Sequence, residues 1–77
     1  MEPIKFDGVN VTYGENQPEY QPLPAQRGPN GEVLTCWKLS SDELKKVQET
    51  GVIWLGILTF GQKLQPVLLS VDRIENE

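Results

Sequence analysis

The sequence predicts a small α+β fold: one antiparallel or mixed β-sheet of about five or six strands, built from β-hairpins, with a single capped α-helix packed on one face. Three observations predict it. Short apolar runs, some alternating, are separated by turns rich in Gly, Pro and Asn. The stretch Ser40–Gly51 carries a full set of helix start and stop signals. The run Val52–Phe60 is apolar at nearly every position, which suits a strand covered on both faces.

Taken in order, Ile4-Lys5-Phe6 and Val9–Tyr13 flank Asp7-Gly8. A two-residue Asp-Gly between apolar runs predicts a hairpin. Gly14–Pro24 is rich in Pro, Asn and Gln and reads as a loop pinned by Tyr20 and Leu23. Gln21–Arg27 predicts an edge strand. Gly28-Pro29-Asn30-Gly31 suits a type I turn, with Pro at the second position and Gly at the fourth. That turn would pair Gln21–Arg27 with Val33–Leu39, an inner strand apolar on both sides.

The helix is expected over Ser40–Thr50. Ser40 as N-cap places Glu43 at N3, a capping box, and sets Leu39 against Leu44 as a hydrophobic staple. Asp42 and Glu43 lie in the first turn, where the helix dipole favours anions. Leu44 and Val47 form the apolar stripe, and Gly51 takes the C′ position. Such a short helix does not persist alone, so it should pack on the sheet. Val52–Phe60 is then the central strand, with Gly56 marking a bulge or a close approach. Gly61–Leu64 turns the chain, and Gln65–Val71 pairs back, with Pro66 at its start. One domain over 1–77 is expected, with 72–77 a frayed polar tail.

A 77-residue chain is marginal as an isolated core. Cys36 is the sole cysteine and there is no histidine, so neither an internal disulfide nor a structural zinc can brace it. A homo-oligomer is the remaining brace. The single helix can cover only one face of the apolar Val52–Phe60 strand, which also predicts a subunit interface. No cofactor is expected.

The net charge is −4, from 11 acidic and 7 basic residues, and the basic ones are scattered. That excludes the concentrated positive surface needed to bind long nucleic acid. No apolar stretch reaches membrane-span length, and Met1–Lys5 does not resemble a secretory leader. The expected place is the cytoplasm, with a reduced thiol. Asn10-Val11-Thr12 matches a glycosylation sequon, read as coincidental in that setting.

Several residues are candidate sites. Cys36 lacks a histidine base and reads as an inert strand cysteine. Asp42, Glu43, Glu49 and Asp72 are explained by capping and solvation rather than by metal binding. Trp37 and Trp54 can stack on a nucleobase, against the plainer reading as core. Arg27, beside the Gly28–Gly31 turn, can grip a phosphate, against the plainer reading as a hairpin charge. With Lys38 and Lys63 these make the candidate ligand-binding set: Arg27, Trp37, Lys38, Trp54 and Lys63. No nucleophile–base pair or metal cluster can be assembled, so an enzyme is not expected.

Pro22-Leu23-Pro24-Ala25 with Gly31, Cys36-Trp37-Lys38-Leu39-Ser40 with Glu43-Leu44, Thr50-Gly51 with Trp54-Leu55, and Gln65-Pro66-Val67 together resemble a pattern of small uncharacterised bacteriophage and prophage proteins. The resemblance covers about Pro22–Ser70. It implies a viral origin and a compact accessory protein acting in the infected bacterial cell, and it supplies no catalytic residues. The leading expectation is an anti-defence protein that sequesters a small nucleotide-derived host signal as a homo-oligomer. The alternatives are a protein-binding inhibitor of a host or phage enzyme and a minor virion or assembly component.

Overall fold

A computed structural model describes residues 1–75. It contains β1 (Glu2–Ile4), β2 (Val11–Tyr13), β3 (Leu23–Arg27), β4 (Val33–Leu34), β5 (Cys36–Lys38) and α1 (Ser41–Thr50). The class is α+β, as the sequence predicts. The strands divide between a two-stranded β1-β5 sheet and a three-stranded β2-β3-β4 sheet, both antiparallel.

Residues 33–38 join the two sheets. Val33 and Leu34 pair with Arg27 and Gln26, whereas Cys36–Lys38 pair with Ile4–Glu2. Thr35 interrupts the run, and its Oγ1 accepts the indole N–H of Trp37 at 2.9 Å. β3 is the central strand of its sheet rather than the edge expected. Pro24 fits there because the pairing is staggered: Leu23–Ala25 face β2, and only Gln26 and Arg27 face β4. Pro24 and Ala25 are the buried residues of β3, and Ala25 has no exposure at all.

The Gly28–Gly31 turn forms as predicted. The Gly31 N–H donates to the Gly28 carbonyl (3.3 Å) and the Gly28 N–H to the Glu32 carbonyl (2.8 Å). The Asp7-Gly8 turn also forms, through Val9 N–H to the Phe6 carbonyl at 3.2 Å. It does not make a hairpin. Gly8 alone has positive φ (105°), whereas a type I′ hairpin turn needs it at both central residues. The flanking strands therefore diverge, β1 to β5 and β2 to β3.

The helix termini match the sequence in detail. The Glu43 N–H donates to Ser40 Oγ (3.2 Å), and the Ser40 N–H donates to Glu43 Oε1 (2.8 Å). Gly51 ends the helix in the left-handed region, at φ 67°, with its N–H on the Val47 carbonyl at 2.7 Å. The expected packing of the helix on a sheet is absent: no helix residue is buried, and Leu44 is 51% exposed.

The largest departure lies beyond Gly51. Neither Val52–Phe60 nor Gln65–Val71 forms a strand. A strand needs a partner, and an isolated two-stranded hairpin is marginal in water. Among the described residues no strand pairs with either limb and none of residues 52–71 is buried. Its turn is nevertheless of the hairpin kind. Phe60 (φ 54°) and Gly61 (φ 80°) both have positive φ, and the Gln62 N–H donates to the Thr59 carbonyl at 3.0 Å. Gly56 approaches nothing; a Cβ built there meets no atom within 4 Å.

The segment is rooted at both ends. Gly51 fixes one root. At the other, Arg73 Nη2 donates to Gln26 Oε1 (3.3 Å), and the guanidinium lies 5.5 Å from the Phe6 ring centroid. Gly8 makes room for this contact, since a Cβ there would come within 3.0 Å of Arg73 Nη2. The expected tail over 72–77 thus contains an anchored arginine, while Asn76 and Glu77 lie outside the described residues.

Candidate functional site

Arg27 closes β3, and its backbone is held on both sides. Its N–H donates to Asn10 Oδ1 at 2.8 Å, and its carbonyl accepts from Asn10 Nδ2 at 3.1 Å. The Asn10 amide thus mimics one more residue of the β2–β3 ladder, which continues through Asn10 N–H to the Ala25 carbonyl at 3.0 Å. The guanidinium is left exposed beside the Gly28–Gly31 turn, and among the described residues no ion pair engages it.

Trp37 and Lys38 sit on β5, opposite Pro3 and Glu2. Trp37 is 44% exposed rather than core. Lys38 lines a shallow depression of about 240 Å³ with Met1, Glu2, Leu39 and Ser40. Trp54 and Lys63 lie on the unpaired segment, where Trp54 is 91% exposed. The five candidates are therefore spread over β3, β5 and residues 52–71, and neither of the two best-formed depressions brings two of them together. An alternating pattern shows which residues share a strand face, but not which sheet the strand joins.

The other depression, about 320 Å³, was not anticipated from the sequence. Tyr13, Gly14, Gln17, Tyr20, Gln21 and Leu23 line it. Two successive turns shape it, with Gln17 N–H on the Gly14 carbonyl (3.2 Å) and Tyr20 N–H on the Gln17 carbonyl (3.0 Å). Its legible signal was two tyrosines bracketing the loop that precedes β3. It is open and almost without charge, so it offers stacking and van der Waals contact rather than a charged grip.

Glu43 is the carboxylate with a perturbed titration. The α-amino group of Met1, 2.6 Å from Oε1, is the main cause that holds its pKa below the usual value, followed by the Ser40 backbone N–H. The Ser40 N–H is half of the capping box, and the Met1 ammonium adds an ion pair from the residue preceding β1. Among the described residues no three His, Cys, Asp or Glu side chains gather as a metal site, and no helix is long and apolar enough to cross a membrane.

No protein-family model, curated protein or solved structure matches the chain.

Proposed function

We propose that this chain is a non-enzymatic, phage-type binding protein that sequesters a small nucleotide-derived defence signal in the bacterial cytoplasm, working as a homo-oligomer. The observation that carries the reading is the distribution of its ligand-gripping groups. Trp54 and Lys63 stand exposed on a segment without a partner, while Arg27, Trp37 and Lys38 stand exposed on the body. Stacking rings and cations are the groups that hold a base and its phosphates. One chain leaves them apart, so the site is completed between chains.

The test is thermal denaturation of the full chain with cyclic mono- and dinucleotides, together with native mass spectrometry of protein purified from bacteria. A ligand at about 100 times its Kd stabilises by about 2.7 kcal/mol, enough to move Tm by several degrees. A retained nucleotide mass, or such a shift, supports the reading; no shift with any nucleotide and no retained mass removes it.

A second reading, an inhibitor that masks a host or phage enzyme, is favoured by the backbone of residues 52–71, which is unbonded outside the Thr59–Gln62 turn and the Val52 root and so suits strand addition to a foreign sheet. A stoichiometric complex with one bacterial or phage protein, formed by a chain that binds no nucleotide, would replace the first reading with this one.

A further inference from the structure

We propose that residues 52–71 form a β-arm whose partner is the same arm of a second copy of this chain, and that this reciprocal pairing is the assembly interface. The inference rests on the oligomeric part of the reading above and is independent of the ligand.

Four observations converge on a second copy. The first is surface area. A folded monomer of 8.7 kDa is expected to expose about 4,700 Å². This chain exposes 6968 Å². The surplus is roughly 2,200 Å² per chain, and two such surpluses together lie within the range of obligate homodimers, about 2,000–5,000 Å².

The second is unmet hydrogen bonding. Among the described residues, the bonds made by the arm's backbone N–H groups are the turn bond at Gln62 and a long one from Val52 to Thr50 Oγ1 (3.4 Å) at the root. A lipid surface could take the apolar side chains, but it offers these backbone groups nothing. Another extended strand satisfies both.

The third is charge. Lys63 is the sole ionisable side chain from Val52 to Val71 in a chain whose net charge is −4. Copies of an acidic chain repel one another, and the arm lies in the longest stretch of the sequence free of carboxylates. Two arms can meet with little opposition.

The fourth is preorganisation. A hairpin-type turn at Phe60-Gly61 folds the arm back on itself, and Gly51 and the Arg73 contacts fix both roots on the body. A presented turn with two apolar, unpaired limbs can meet a copy of itself, which is what a twofold isologous interface requires.

Sedimentation of the ligand-free full chain, combined with hydrogen exchange, tests the inference. The expected result is a dimer or higher even-numbered oligomer at about 10 μM, with the amides of residues 53–58, 64, 65 and 67–69 protected at least about 100-fold over their free-peptide rates. Trp54→Glu and Leu58→Glu should yield monomers that lose this protection. Should those variants fail to fold, the exchange pattern of the unaltered chain decides alone. A monomer at about 100 μM overturns the inference. So does an oligomer whose arm amides exchange freely, and so does a monomer whose arm is protected only in complex with a different protein. A protected oligomer that binds no nucleotide keeps the inference and removes the ligand reading.

Discussion

Replacing Asn10 by alanine removes two hydrogen bonds at once, because its amide both accepts from the Arg27 N–H (2.8 Å) and donates to the Arg27 carbonyl (3.1 Å). Each such bond contributes about 0.5–1.5 kcal/mol net, and Asn10 is exposed, so the lower half of that range applies. The expected loss is about 1–2 kcal/mol. For a domain of this size that lowers Tm by roughly 5–15 °C at fixed protein concentration. Asn10→Asp separates the hydrogen-bond account from a mere volume effect. A carboxylate keeps the acceptor for the Arg27 N–H but places a second acceptor against the Arg27 carbonyl. Asp should therefore be no better than Ala at neutral pH, although it nearly preserves the shape. Denaturant titration of the three proteins at one concentration makes the comparison. Asn10→Ala within about 0.3 kcal/mol of the parent, or Asn10→Asp as stable as the parent, refutes the ladder-mimic reasoning. The same geometry gives Asn10 a structural role, with its amide nitrogen donating to the Arg27 carbonyl.

Ser40→Ala removes the N-cap acceptor and should cost about 1 kcal/mol, visible as reduced helical ellipticity and a lower denaturation midpoint. Glu43 has its folded pKa depressed, so its contribution is present above the ordinary carboxylate range and is lost as pH falls through the folded value. Helical ellipticity should fall on acidification through and below the ordinary carboxylate range, and Glu43→Gln should flatten that dependence. Phe60 occupies left-handed backbone that is costly for a bulky residue, so Phe60→Asn, which creates the preferred Asn-Gly pair, should strengthen the turn by roughly 1 kcal/mol, read as slower exchange of the Gln62 amide.

The parts legible in the sequence are those whose hydrogen bonds close within a few residues. The capping box, Gly51 and the Gly28–Gly31 turn all fall where their residue types dictate. The parts that misled depend on distant partners. Asp7-Gly8 does turn the chain, but the destination of each flanking strand is decided by Cys36–Lys38 for one and by Leu23–Ala25 for the other. The apolar run Val52–Phe60 has strand composition, and composition records what a segment can pair with rather than whether that partner is in the same chain. The candidate set Arg27, Trp37, Lys38, Trp54 and Lys63 was chosen by residue chemistry, which is silent about separation, and the central-strand position expected for Trp54 gave no sign of its 91% exposure. The tyrosine-lined depression escaped because two turns create it, and turns register in the sequence as loop.

The contrast between local order and missing core constrains how this chain becomes stable. Its caps, turns and side-chain clamps are nearly all satisfied, yet Pro24 and Ala25 are the buried residues of the described chain. Hydrogen bonds at exposed positions contribute little net, and apolar burial supplies most of the driving force for folding. The apolar side chains that would supply it are concentrated in residues 52–71, where Val71 is 99% exposed and none is buried. Those residues are also far too apolar for a linker, since disordered segments have few aromatic and β-branched residues and much charge. Burial of the arm and burial of whatever it meets are therefore the same event. Under the proposed assembly, folding of the body would be coupled to association through the arm, and a ligand held between Trp54 on one copy and Arg27 or Trp37 on another would draw on that same free energy. An acidic chain with its cations dispersed over body and arm is suited to the proposed arrangement: no dense positive patch exists in one copy, and pairing of arms would be the step that brings the cations together.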